Sequence, residues 1–336
     1  MSEILELQPS QARQYIDAES VFLELRRVRL EAKELRGSMF WKREGRGEYL
    51  IRESSKGAQK SLGPRSPENE NIHARFITRK ETINTRLATL SKAAEDQQRL
   101  NKALRVGRVP NIVVKTLNAL EASGLQSHFL TVGTHALYAY ETACAVRVMP
   151  GLLATQDIDL LFDSQKRMAF AHQLKRLDSS FIGALQKADP TFRTRSDQLQ
   201  TAVNASGFEI DVIRRFKHGK DLHPFRMSES EDDLWAVQVK GADRMLSAKG
   251  FSQVVVSETG HMAVMHTMNP PTFVAIKRLI STSPDRDPKK RHKDALQADL
   301  VAHLIESRMP QYLPRPADDL DALNGNDEGG QLDQPR

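Results

Sequence analysis

Two aspartates set two residues apart inside an apolar run, Thr155-Gln-Asp-Ile-Asp-Leu-Leu-Phe162, constrain this chain more than any other feature. At the two-residue period of a strand, Asp157 and Asp159 face one way and Ile158 the other. A carboxylate pair backed by aliphatic core suits a divalent cation held against the phosphates of a nucleotide. Upstream, Thr131-Val-Gly-Thr-His135 places a glycine turn after a strand at residues 129–132, and Thr155 adds a hydroxyl beside the pair. A third carboxylate is available in Gly207-Phe-Glu-Ile-Asp-Val-Ile-Arg214, where Asp211 shares a face with Glu209 in a second strand-like run. If the two strands are neighbours, Asp157, Asp159 and Asp211 converge as ligands for Mg2+ or Mn2+. They would then hold the triphosphate of an NTP, with Asp211 as base for an attacking hydroxyl. The chemistry that follows is nucleotidyl transfer.

The 336 residues exceed what one compact core usually organises and suggest two or three domains. No apolar run approaches the roughly 20 residues that span a bilayer, and Met1-Ser-Glu-Ile-Leu-Glu6 lacks the order of a secretory signal. A cytoplasmic protein with no membrane partner is therefore expected. The single cysteine, Cys144, excludes an internal disulfide framework and a cysteine zinc site, and its apolar setting reads as a buried, inert thiol. No Walker-type phosphate loop, dinucleotide fingerprint or internal repeat is present.

The net charge of +6 is unevenly distributed, with 22 Lys and Arg against 15 Asp and Glu over residues 1–110. That end should face polyanions. Within it, residues 39–45, 48–52 and 58–62 read as a small antiparallel β meander. Trp41 and Tyr49 interleave there with Lys42, Arg43, Arg46, Arg52 and Lys60. The mixture suits phosphate contacts and base stacking by a nucleic acid; it equally suits a sheet packed on a helix with its other side wet. Helices are expected at residues 11–35 and 68–104, the second opened by Ser66-Pro67 and carrying Ile72, Phe76, Ile83, Leu87, Leu90 and Leu100 at heptad-like intervals. Its partner is the first helix, the remaining core or another copy of the chain in a homodimer.

Further strand material is expected at residues 235–239, 254–256 and 263–265. Asn269-Pro-Pro271 opens a helix at 272–280, and another follows at 289–305. Arg286 and His292 have a spacing found in some ribonucleases, but their segment reads as a surface loop. His135 reads as a packing or capping residue.

The acidic pattern resembles the polymerase-beta-type nucleotidyltransferases: a strand, Gly-Gly or Gly-Ser, a helix, Asp-x-Asp, then a later Asp on a strand. Gly133, Asp157, Asp159 and Asp211 match it. More closely, the chain is similar to an uncharacterised bacterial branch, the NTP-transferase-8-like nucleotidyltransferases. The stretches Lys60-Ser-Leu-Gly-Pro-Arg-Ser-Pro67, Arg105-Val-Gly-Arg-Val-Pro110 and Val132-Gly-Thr-His-Ala-Leu-Tyr-Ala-Tyr-Glu141 recur there, and the resemblance covers roughly residues 20–310. Thr134 replaces the wider superfamily's Gly or Ser and still offers a hydroxyl and an N–H to a phosphate. The long gap between Gly133 and Asp157 fits the larger, antitoxin-related branches and implies an inserted turn around residues 149–151.

The resemblance implies an α+β fold: a polymerase-beta-like mixed sheet with helices, a C-terminal helical cap, and an N-terminal helical region carrying the meander. The expected domains are residues 1–125 (N-terminal region), 126–225 (catalytic core), 226–312 (strands and cap) and 313–336 (disordered tail). In relatives with such a cap, a Lys on its first helix and a basic-Asp segment on its second face the triphosphate. Lys277, Arg291, Lys293 and Asp294 match by position, with Asp294 orienting the Lys or an Arg. Nucleotide binding is thus expected from Gly133, Thr134, Thr155, Lys277, Arg291 and Lys293. The acceptor could be RNA, a partner protein such as a toxin, or a small molecule. The rival reading is a non-catalytic nucleic-acid-binding or antitoxin-like protein that keeps the fold.

Overall fold

A computed structural model describes residues 4–219 and 221–313. The chain forms two units, one of Leu7–Val114 with Val254–Ala263, the other of residues up to Glu6, Lys115–Gln253 and the chain from Val264 onward. Beyond Leu313, the expected tail lies outside the described residues. The architecture is α+β, as the resemblance implies. Among the described residues no helix is long and apolar enough to cross a membrane.

In the first unit, the helix Pro9–Glu34 begins with proline, whose missing N–H would have had no intrahelical partner, and Gln11 Oε1 accepts the Gln8 N–H at 3.2 Å. Ser66 caps the second helix, Pro67–Ala103, by accepting from the Asn69 N–H at 3.2 Å, with Glu68 and Glu70 at the positive end of the helix dipole. The two helices run antiparallel. Gln14 Nε2 donates to Gln97 Oε1 at 2.7 Å, and Glu24 pairs with Arg86 further along. Leu25, Val28 and Ile83 are buried, so the apolar period of the second helix finds its partner in the first. The chain between them folds into the expected meander, Ser38–Glu44, Gly47–Glu53 and Gln59–Pro64, paired in that order.

The segment Val254–Ala263 carries the turn of a hairpin, and in this unit it docks on the second helix: Asn101 Nδ2 donates to the Gly260 carbonyl at 3.2 Å. Gly260 has φ +83°, and a Cβ there would strike the Gln98 carbonyl oxygen. Gly260→Ala is therefore expected to cost at least about 2 kcal/mol, from left-handed backbone strain plus the clash, read as a lower urea midpoint at unchanged slope.

The second unit is built on a mixed sheet. Phe129–Val132 lies antiparallel to Asp157–Phe162, which is the parallel neighbour of Glu209–Arg214; Thr201–Val203 and Arg193–Thr194 continue the sheet antiparallel. Parallel neighbours buried on both faces need continuous aliphatic runs, and Ile158, Leu160, Leu161, Phe162, Ile210 and Val212 are all buried. Where an inserted turn was expected around residues 149–151, the chain makes a short helix, Pro150–Leu153. The helices Pro270–Ser281 and Pro288–Arg308 pack on each other, and Asn269 caps the first by accepting from the Thr272 N–H at 2.9 Å.

Candidate active site

Strand register assembles the acids. Asp159 lies directly opposite Asp211 across the parallel pair, Asp157 opposite Glu209, and Val132 opposite Asp159 on the other side. Directly after Val132 the chain must turn at Gly133, φ +66°, and a Cβ there would collide with Asp159 Oδ2. Glycine is required twice over, by the backbone and by the carboxylate beside it.

The charges are crowded. Asp159 retains some exposed surface, yet its carboxyl is set so deep that burial, with the nearby Asp157 and Asp211 adding to it, pushes its pKa up to about 7; Lys277 and Arg286 act the other way. Asp211 is also raised, first by burial, against the opposing hydrogen bond from Thr201, whose Oγ1 donates to Asp211 Oδ1 at 2.5 Å. The Thr155 hydroxyl donates to Asp157 Oδ1. Among the described residues no three His, Cys, Asp or Glu side chains form a ready-made metal cluster. Two of the three carboxylates are instead held by threonine hydroxyls.

The helices Pro270–Ser281 and Pro288–Arg308 and the loop between them bring cations to this edge. Lys277 Nζ donates to Asp294 Oδ1 at 2.6 Å and Arg286 Nε to Asp294 Oδ2 at 2.9 Å, so one buried carboxylate orients both. Burial lowers the Lys277 pKa, and Asp294 resists that shift. Lys293 Nζ donates to the Ala154 carbonyl at 2.6 Å and lies close enough to Asp157 to feel its charge; its pKa is lowered, by burial first and then by Lys277. Arg291 Nε is a buried donor without an acceptor. Thr134 Oγ1 accepts from Gln297 Nε2 at 3.3 Å, and the same nitrogen donates to the Leu152 carbonyl at 2.7 Å.

Thus Gly133 lies against Asp159, Thr155 bonds Asp157 and Lys277 bonds Asp294, while Thr134 meets Gln297 and Lys293 the Ala154 carbonyl. Four further residues belong here that the sequence did not single out for this role: Thr201, Arg286, Gln297 and Arg195. Arg195 is ion-paired to Glu209 at 2.5 Å and to Asp197 at 2.7 Å. Only Gln297 carried a local signal, lying one helical turn beyond Asp294 on the same face. His135 is buried against Phe208 and Tyr138, and burial drives its pKa down to about 4, so it is neutral at physiological pH. Cys144 is buried and its pKa is pushed up to about 11, which leaves it an unreactive thiol.

In the N-terminal unit, the meander separates the residues expected to meet nucleic acid. The Trp41 ring lies 5.9 Å from the ring of His73 with the Arg65 guanidinium 5.3 Å from its centroid, and Arg52 lies 4.6 Å over Phe76 while donating to the Ser38 and Arg36 carbonyls. These two are engaged within the unit. Lys42 pairs with Glu44 at 2.7 Å, Tyr49 is half-buried, and Arg43, Arg46 and Lys60 are exposed.

A family model described as nucleotidyltransferase matches residues 111–319. No curated protein and no solved structure matches the chain.

Proposed function

The chain belongs to the nucleotidyltransferase family, and on that premise we propose that it transfers a nucleoside monophosphate from an NTP to an acceptor hydroxyl. Asp157, Asp159 and Asp211 are the metal ligands in this reading. The observation that carries it is the pairing of Asp159 with Asp211 on adjacent strands, with Lys277 and Arg286 near enough to oppose the rise in the Asp159 pKa. The donor set is all hard oxygen, which suits Mg2+ or Mn2+, and a dication would offset both the burial of the Asp159 charge and the repulsion from Asp157 and Asp211. A bound ion supplies neutralisation of phosphate charge.

The chain's own groups divide the remaining work. Backbone N–H groups at Gly133 and Thr134 offer hydrogen bonds to a phosphate, with the Thr134 hydroxyl fixed by Gln297. Lys277 and Arg286, aimed by Asp294, offset charge that develops on the triphosphate, and Lys293 with Arg291 extends that positive row. Thr201 occupies only Oδ1 of Asp211, which leaves Oδ2 to take the proton of the acceptor hydroxyl, and the raised pKa makes this carboxylate a stronger base. Exposed Arg43, Arg46 and Lys60 favour a nucleic acid, or a partner associated with one, as acceptor.

Calorimetric titration of the four NTPs, with and without Mg2+, into wild type and the Asp157→Ala, Asp159→Ala double variant tests this reading. Magnesium-dependent binding that the double variant loses is expected. Failure of every NTP to bind sinks the enzyme reading and leaves the non-catalytic binding protein, in which replacing Lys42, Arg43 and Arg46 weakens polyanion binding and its salt dependence.

A further inference from the structure

The helix Pro9–Glu34 is apolar on two opposite sides. Gln14, Ala18, Leu25 and Val28 are buried along the side that packs on Pro67–Ala103. At 100° per residue, Ala18 and Leu25 lie roughly 180–200° round the helix from Ile16. Ile16, Leu23 and Leu30 follow one another at heptad spacing on that far side, 61%, 43% and 54% exposed. A surface helix normally presents charge there; a helix with a second apolar seam is built to be covered on both sides.

The charges flanking the seam say what covers it. Arg13, Ser20, Arg27 and Glu34 run along one flank, and Glu19, Arg26 and Lys33 along the other. We propose that a second copy of this chain covers the seam, with the two Pro9–Glu34 helices antiparallel about a two-fold axis at Leu23. In that arrangement each flank meets its own reverse. Ile16 lies against the partner's Leu30, Leu23 against the partner's Leu23, Glu19 against the partner's Arg26, and Arg13 against the partner's Glu34. Every opposed charge pair is attractive and each occurs twice, as an isologous interface requires. A parallel pair would set Arg27 beside the partner's Arg26, twice, so that its one attractive pair, Glu34 with the partner's Lys33, is offset by like charges opposed. The four helices then lie in one layer, the two Pro9–Glu34 helices in the middle and the two Pro67–Ala103 helices outside them.

Sedimentation equilibrium of the full-length protein should give a dimer. Leu23→Glu brings two carboxylates together at the axis and should weaken dimerisation by about 30-fold or more, with the far-ultraviolet spectrum and melting of the monomer unchanged because the site is exposed. Glu19→Arg alone should weaken the dimer, and adding Arg26→Glu should restore it. Register is read by cysteine: Leu23→Cys should form a disulfide-linked dimer, Ile16→Cys should link to Leu30→Cys in a mixture, and Ile16→Cys should not link to itself. The native Cys144 is buried, so the wild-type control stays free of cross-links. A monomer at all concentrations overturns the proposal, even if another protein binds the seam, and self-linking of Ile16→Cys overturns the antiparallel geometry. None of these readouts involves nucleotide, so they stand apart from the test of catalysis.

Discussion

Asp159→Asn is expected to abolish nucleotidyl transfer while making the metal-free protein more stable at pH 8. The folded-state pKa of about 7 stands well above the ordinary 3.8, because the carboxyl is buried and faces Asp157 and Asp211. Between about pH 4 and 7 the folded form therefore holds a proton that the unfolded chain has released, so stability falls as pH rises through that window and stays lost above it. With each pKa unit worth about 1.4 kcal/mol, and partial exposure discounted, asparagine should recover roughly 2–4 kcal/mol at pH 8 and almost nothing at pH 4. Turnover should drop by roughly 10³-fold or more, since asparagine cannot supply the charge that a metal and a triphosphate require. Thermal melts at the two pH values, set beside radiolabelled nucleotide transfer, check both halves. A variant destabilised equally at both pH values would show that the Asp159 carboxyl is not raised in the folded protein.

Asp294→Ala should be the most damaging single change on the cation side, and more damaging to the fold than Lys277→Met. Asp294 is the common acceptor for Lys277 and Arg286, so removing it leaves two cations, one of them buried, without the carboxylate that hydrogen-bonds both. Loss of one partner from a buried pair costs about 3–5 kcal/mol. Lys277→Met leaves Asp294 with Arg286 and fills the same space, so its cost in stability should be nearer 1–2 kcal/mol. The order reverses for nucleotide. Lys277→Met removes a charge facing the phosphates and should weaken NTP binding by about tenfold or more under conditions where it remains folded. Denaturant midpoints and NTP titrations on the two variants separate the roles. Equal losses of stability would show that Asp294 does not orient both cations.

Much of the local structure was legible because it follows from period and punctuation. The strand at residues 129–132, the three strands of the meander and the helix starts at Ser66 and Asn269 are all set by neighbours within a few residues. The Asp157 and Asp159 face was legible for the same reason. That Asp211 stands beside Asp159 was not, because two helices, loops and two short strands separate the two strands in sequence and no local rule fixes which strands pair; the expectation came from family resemblance. Thr201 shows the limit clearly. It meets Asp211 only through an antiparallel register that sequence spacing does not encode. Trp235 to Val239 reads as a strand from its β-prone residues, yet only Val237–Gln238 pairs with the main sheet. Trp235 makes an isolated bridge with Arg226, whose guanidinium lies 5.5 Å from its ring centroid, so side-chain packing there overrides β propensity.

The turn segment Val254–Ala263 interrupts the sequence of the unit that carries the acids, but its own packing belongs with the N-terminal helices. The family match at residues 111–319 therefore includes a segment, Val254–Ala263, that packs with chain lying before the match. Expressed alone, that stretch would retain a hairpin whose tip has lost the hydrogen bonds from Asn101 to the Gly260 carbonyl and from Gln98 to the Thr259 carbonyl. Joining such a stretch to another N-terminus requires the new neighbour to accept that tip, so the N-terminal region and the matched sequence are constrained to change together.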